Sequence, residues 1–170
     1  MAPTPESEVL SDADFEQSLH DYLNRMNDFA QTKSWYPDFN KLEISIENFS
    51  QTPNPSVTYR FRVIEELCNN ANVLHGGCAV LLVDDLTTVL LGALSKPGLF
   101  TRMGASKHLS ATLIRPLRQG EEARIVSEIE YSGKNRAVLR AKLYRVESGE
   151  LCAILENDRA NTDPPVKSNL

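Results

Sequence analysis

Residues 69–84, which read NNANVLHGGCAVLLVD, decide the fold of this chain. An asparagine-rich loop leads to His75 and two glycines, and a long apolar segment follows with Asp84 about two turns into it. Free backbone N–H groups at a helix start can stabilise an oxyanion, and a carboxylate in apolar surroundings can act as a general base. The stretch therefore predicts a buried helix equipped for acyl transfer to water.

The segments around this stretch predict one helix inside a sheet. Residues 76–94 are apolar on nearly every side, which is typical of a helix buried all round, and Ser95-Lys96-Pro97-Gly98 ends it. Two alternating strands precede the helix, one on Leu42, Ile44 and Ile46 and one on Val57, Tyr59, Phe61 and Val63, joined through Thr52-Pro53-Asn54-Pro55. Four strand-like runs follow it, over 101–114, 123–131, 136–146 and 151–161.

An extra helix is predicted ahead of this core. Ser11 is a candidate N-cap, and residues 12–31 carry apolar side chains at three- and four-residue spacing. These are Phe15, Leu19, Leu23, Met26 and Ala30. We expect this helix to lie across the outside of the fold and to end at Trp35-Tyr36-Pro37. The fold class is then α+β, an antiparallel sheet wrapped around one long helix, with a tail and accessory helix over 1–38, the main domain over 39–163 and a second tail over 164–170.

Composition limits the possible partners. The chain has 170 residues, of which 41% are hydrophobic, and a net charge of −5 without a long Lys/Arg run, so a nucleic-acid partner is not expected. The longest apolar run, 78–83, is too short to cross a bilayer.

Cysteine usage and the two ends of the chain bear on location. Three cysteines without C-x-x-C pairing, Cys68, Cys78 and Cys152, and a start that lacks the apolar core of a signal peptide favour a cytoplasmic, reducing environment. The final Ser168-Asn169-Leu170 differs from the peroxisomal Ser-Lys-Leu address at one position, which leaves a peroxisomal location or an ordinary tail open.

The order of elements, together with Asn-x5-His-Gly-Gly-x6-Asp, resembles the hotdog-fold acyl-CoA thioesterases of the phenylacetate-degradation (PaaI-like) type, including the thioesterase superfamily member 2 branch. By this resemblance Asn69 positions the thioester, Gly76 N–H polarises its carbonyl and Gly77 allows close approach. Asp84 orients or deprotonates the water, and Ser106 assists. The resemblance also implies a site between two protomers of a homodimer or a homotetramer built as a dimer of dimers.

Several residues near the motif keep more than one interpretation. His75 could donate to the carbonyl, orient Asn69 or only fix the turn, and Asn70 or Asn72 could cap the helix in place of Asn69. Asp85 points about 100° away from Asp84 on a helix, so it is structural or lines the substrate.

Other side chains are candidates for a nucleophile, metal ligands or phosphate contacts. Cys78 as a nucleophile with His75, and a metal site of Cys68, His75 and Cys78, are disfavoured because activation and a fourth ligand are lacking. By the resemblance, Lys134 and Arg136 contact the CoA phosphates, with Lys107 and Arg115 as weaker candidates; a solvated turn is the alternative for all four.

The predicted activity is hydrolysis of acyl-CoA in lipid metabolism, without a metal or other cofactor, since CoA is part of the substrate. One alternative is a thioesterase acting on acyl or polyketide chains carried by an acyl carrier protein. Another is a non-catalytic acyl-CoA-binding module whose extra helix docks a partner. The sequence does not distinguish acyl chain lengths.

Overall fold

The structure is a computed structural model that describes residues 10–31 and 39–165. Its elements in chain order are α1 (Asp12–Gln31), a 3-10 turn (Phe39–Leu42), β1 (Ser45–Ser50), β2 (Ser56–Arg62), a second 3-10 turn (Glu65–Leu67), α2 (Gly76–Ala93), β3 (Ala105–Leu113), β4 (Glu122–Ser132), β5 (Arg136–Arg145) and β6 (Leu151–Ala160). The predicted Trp35-Tyr36-Pro37 stop and both chain ends lie outside the described residues.

The strands form one antiparallel sheet in the order β1-β2-β4-β5-β6-β3, and α2 packs on one of its faces. The inward positions of β4 are Ala123, Ile125, Ser127 and Ile129, and all four are buried as their alternation predicts. Tyr59 on β2 is fully buried and donates its hydroxyl hydrogen to the carbonyl of Leu86, 3.1 Å away, which ties the sheet to α2. The predicted fold class is confirmed.

Two predicted strands begin later than the sequence suggests. Leu42 belongs to a 3-10 turn, and Glu43 has φ of 50°, so β1 starts only at Ser45. The run predicted from residue 101 begins as a turn in which Met103 and Gly104 both have positive φ, and β3 starts at Ala105. Extended backbone is impossible at positive φ, which explains both corrections.

Helix α1 has the predicted bounds and its predicted cap, because Ser11 Oγ accepts a hydrogen bond of 3.1 Å from Asp14 N–H. Its apolar face buries Phe15 and Leu19 completely. The helix packs along α2, where Ser18 Oγ donates to the carbonyl of Ala93 at 3.0 Å. It therefore covers the outer side of α2 and adds to the same core.

The two halves of α2 differ in burial. Every residue from Asp85 to Ala93 is buried, whereas Cys78, Val80, Leu81 and Asp84 in the first half remain half-exposed. The helix is long and apolar enough to span a membrane by composition, but 67% of it is buried inside the fold, as expected of a core helix. The first half of α2, which is half-exposed, contains Gly76 and Asp84 of the motif.

Candidate active site

The loop before α2 is pinned to its neighbours by backbone hydrogen bonds. His75 N–H donates to the carbonyl of Leu67 at 2.8 Å, and Leu74 N–H donates to the carbonyl of Leu117 at 2.7 Å. Asn69 Oδ1 accepts from Ala71 N–H at 2.9 Å, so this side chain stabilises its own loop. Its amide nitrogen has no hydrogen-bond partner among residues 10–31 and 39–165, and the side chain is exposed.

His75 is the N-cap of α2. Its Nδ1 accepts a hydrogen bond of 3.0 Å from Gly77 N–H, which satisfies one of the free donors of the helix start. Gly76 N–H makes no hydrogen bond within the described part of the chain. Of the two glycine N–H groups, the one on Gly76 is thus free for an incoming oxygen, and the one on Gly77 is occupied.

One side chain of β3 lies close to Gly76. A Cβ at this position would lie 2.6 Å from Cδ1 of Leu113, near the end of β3. Beside it is a cavity of about 190 Å³ with a mostly apolar lining. Its lining includes Leu74, Ala79, Leu113, Leu117, Leu143 and Cys152. Leu113 therefore lies between Gly76 and a space that suits an apolar chain.

Asp84 is held through one carboxylate oxygen. Oδ1 accepts three hydrogen bonds, at 2.8 Å from Ser106 Oγ, at 2.9 Å from Asn157 Nδ2 and at 2.6 Å from Arg159 Nη1. No hydrogen bond to Oδ2 is present within the described ranges. The side chain is 26% exposed, so the second oxygen is free to hold a water molecule.

Asn157 and Arg159 were missed by the sequence analysis. The inward positions of β6 run Ala153, Leu155, Asn157, Arg159, and the change from apolar to polar side chains on a buried face was the available signal. Asn157 is completely buried and Arg159 is 7% exposed. Desolvation lowers the pKa of Arg159, while the neighbouring carboxylates of Asp84 and Asp85 oppose that shift.

The remaining candidates lie around this core. Asp85 is buried, on the side of α2 that faces away from solvent. Burial raises the pKa of the Cys78 thiol, which disfavours its thiolate further. No group of three or more His, Cys, Asp or Glu side chains in the described ranges is arranged to hold a metal ion.

The two basic candidates differ in their contacts. Arg136 pairs in register with Ala160, at the same end of the sheet as Arg159, but its side chain bonds to Asp158 on the opposite face at 2.6 Å. That carboxylate raises the pKa of Arg136 and binds its Nε, while the side chain stays 61% exposed. Lys134 is exposed in the β4–β5 turn.

Comparison with known proteins identifies the family of the chain. The sequence model of the thioesterase superfamily matches residues 71–152 of the chain. Human acyl-coenzyme A thioesterase 13 is 31% identical over 140 residues, which cover 81% of this chain and 89% of the human protein. The chain belongs to the thioesterase superfamily. Its reaction class is thioester hydrolysis.

Solved thioesterase structures share the fold. Mouse thioesterase superfamily member 2 superposes with a TM-score of 0.69 at 24% identity, covering 89% of this chain and 98% of the mouse chain. The E. coli PaaI protein from the phenylacetic acid degradation operon gives a TM-score of 0.68 at 14% identity, covering 91% and 98%. The superfamily match includes Gly76, Asp84 and Ser106 but ends before Asn157 and Arg159.

Proposed function

We propose that the protein hydrolyses acyl-CoA thioesters to a free acid and CoA at a site shared by two copies of the chain. Gly76 of one copy binds the thioester oxygen, and Asp84 of the other copy holds the attacking water. The observation that carries the proposal is the pair of available groups on one half-exposed helix segment, Gly76 N–H and Asp84 Oδ2. The name of the human relative supports acyl-CoA as the substrate.

The separation of these groups supports a shared site. Asp84 follows Gly76 by eight positions, so at about 1.5 Å per residue the two lie roughly 12 Å apart along α2. Oxyanion donors and the attacking atom must both lie about 3 Å from the reacting carbonyl. One chain therefore contributes half of each site.

Strand β3 supports a second copy in a specific orientation. Asp84 bonds to Ser106 near the start of β3, and Gly76 lies against Leu113 at its end. β3 is an edge strand, and antiparallel pairing of two such edges places the start of one beside the end of the other. That arrangement brings Asp84 of one copy towards Gly76 of the next.

The surface beside this edge also suits a second copy. Leu109 and Leu113, on the same face of β3 as Ser106, are 38% and 57% exposed, and Val80 and Leu81 of α2 are half-exposed. Exposed apolar side chains grouped along an unpaired edge are typical of an interface. Pairing of two copies would bury them.

In the proposed reaction, water held by Asp84 Oδ2 attacks the thioester carbon, and Asp84 takes its proton. Negative charge on the carbonyl oxygen is stabilised by Gly76 N–H and the start of α2. The C–S bond then breaks, and the proton passes to the departing CoA sulfur. We assign Asn69 Nδ2 to the substrate, because it has no partner within the described residues, and Lys134 and Arg136, both exposed, to the CoA phosphates. His75 caps the helix. The proposed reaction uses no metal ion or redox cofactor.

The first test is CoA release, followed with a thiol reagent, from short, medium, long and aromatic acyl-CoA thioesters. Asp84→Asn keeps an oxygen that can accept from Ser106, Asn157 and Arg159, so it removes the charge with little disturbance. We expect turnover by the wild type and a loss of about 100-fold or more in this variant. Asp21→Asn, on the solvated face of α1, is the matched control and should be fully active. A wild type that is inert on the panel but active on carrier-protein thioesters would overturn the CoA assignment.

Mixing two inactive variants tests the shared site. Gly76→Pro removes the N–H at the first helical position, where proline is tolerated, and Gly76→Ala adds a similar Cβ but keeps the N–H. We expect Gly76→Pro to lower kcat by about 100- to 1,000-fold. Random mixing of Gly76→Pro with Asp84→Asn in a two-fold dimer restores one site in each mixed dimer, or about a quarter of wild-type activity. No recovery after verified exchange of subunits would place the site within one chain.

A further inference from the structure

Arg159 makes more hydrogen bonds than any other side chain near Asp84. Besides Asp84 Oδ1, its Nη1 donates to Ser106 Oγ at 2.8 Å. Its Nε donates to the carbonyl of Met103 at 2.9 Å, and its Nη2 donates to the carbonyl of Gly104 at 3.3 Å. One guanidinium thus joins the catalytic candidate on α2 to the turn that begins β3.

The turn that Arg159 holds has little freedom of its own. Met103 and Gly104 have φ of 60° and 65°, and a Cβ on Gly104 would lie 2.4 Å from the carbonyl oxygen of Ala160. A non-glycine residue at positive φ such as Met103 is uncommon and needs support from its surroundings. The contacts of Arg159 supply that support and set the position of Ser106 two residues later.

We propose that Arg159 is a positioning residue for thioester hydrolysis. Together with Ser106 and Asn157 it saturates Oδ1 of Asp84, so that Oδ2 is the oxygen presented to water in one fixed orientation. Arg159 acts through Asp84 and does not touch the substrate, since it is buried and all three of its nitrogens donate to protein oxygens. This inference rests on the proposed role of Asp84.

Burial of Arg159 and the planar shape of its guanidinium make this contact specific. A guanidinium offers its donors in a planar fork, and Arg159 uses that fork on Asp84, Ser106 and two carbonyls at once. Lysine carries the same charge on a single flexible nitrogen, so it can keep the charge pairing but cannot reproduce all four contacts. Replacing Arg159 with lysine therefore keeps the charge and removes the geometry of the guanidinium.

The test compares Arg159→Met and Arg159→Lys with Arg140→Met, a matched control on the outer face of β5 that pairs with Glu130 and Glu156. We expect Arg159→Met to lower kcat by about 10- to 100-fold, the loss that orienting partners of reactive groups usually cause, with KM changed less than about threefold. Arg159→Lys should recover part of that loss, and Arg140→Met should match the wild type. Wild-type kcat in folded Arg159→Met would overturn the proposal.

A double variant distinguishes a positioning role of Arg159 from a general loss of stability. If Arg159 acts through Asp84, adding Arg159→Met to Asp84→Asn lowers the residual activity no further, whereas a collapse of the β3 turn lowers it again and raises KM. Additive losses in the double variant would therefore contradict the positioning role. An inert wild type would instead contradict the proposed function itself, so the two failures are distinguishable.

Discussion

The two halves of α2 are both largely apolar but have different surroundings. From Asp85 to Ala93 the helix is enclosed by the sheet on one side and by α1 on the other. From Gly76 to Asp84 α1 does not cover it in the same way, and apolar side chains such as Leu81 remain half-exposed beside a free N–H and a free carboxylate oxygen. One half therefore stabilises the chain, and the other half is available for chemistry and assembly.

This difference explains how a helix with a proposed catalytic role can be so apolar. A soluble helix normally has one polar face. Here α1 takes the place of solvent over the second half, with Phe15 and Leu19 fully buried. We infer that a second copy of the chain does the same for the first half.

The largest expected effect is the contrast between two leucines of α2. Leu90 is fully buried, so Leu90→Ala should lower the free energy of unfolding by about 3 kcal/mol, within the range for core leucines. Leu81→Ala, in the half-exposed segment, should cost roughly 1 kcal/mol or less within a chain. Denaturant unfolding at several protein concentrations measures both. If Leu81→Ala lowers the free energy of unfolding as much as Leu90→Ala does, at every protein concentration, the two halves of α2 do not differ in their contribution to stability.

The glycines at the two ends of α2 sharpen the same contrast. A Cβ on Gly92 would lie 2.5 Å from ring carbons of Tyr22, which is packed between the helices and bonded to Ser95. We expect Gly92→Ala to destabilise by about 1 to 2 kcal/mol, because overpacking outweighs the gain in helix propensity. Gly76→Ala meets only the exposed tip of Leu113, which can move, and should be nearly neutral.

A double-mutant cycle checks the cause of the Gly92 effect. If the Tyr22 ring is the obstacle, Gly92→Ala costs little more once Tyr22→Ala is present, so the two losses are less than additive. Thermal unfolding of the four proteins measures this coupling. Fully additive losses would show that the ring does not limit the space at Gly92.

Long periodic segments were predictable, and contacts between distant elements were not. The bounds of α1 and the buried face of β4 follow from the spacing of apolar residues, because each depends on local backbone geometry. Alternation also places Arg159 on the inner face of β6, but it does not say which helix residue lies opposite. The bond to Asp84 joins positions 75 residues apart, which only the tertiary fold brings together.

The smallest effect concerns the caps of the two helices. Ser11 caps α1 and His75 caps α2, and each side chain accepts a hydrogen bond from a backbone N–H. Replacing either residue with alanine should therefore lower the free energy of unfolding by about 1 kcal/mol. Their effects on activity should differ: Ser11→Ala leaves kcat unchanged, because the hydrogen bond from α1 to α2, from Ser18 to the carbonyl of Ala93, lies at the end of α2 far from Gly76. His75→Ala frees Gly77 N–H, loosens the start of α2 beside the proposed oxyanion site and lowers kcat.

Asparagine at position 75 separates capping from chemistry. Asn is among the best N-cap residues and offers an oxygen acceptor, so His75→Asn should restore stability and bring kcat within about tenfold of the wild type. Unfolding curves and acyl-CoA turnover of the three variants measure both properties. If His75→Asn is as stable as the wild type but as inactive as His75→Ala, the imidazole itself contacts the substrate. In that case the start of α2 offers the substrate the His75 side chain as well as the Gly76 N–H. The two halves of α2 then differ in side-chain chemistry as well as in burial.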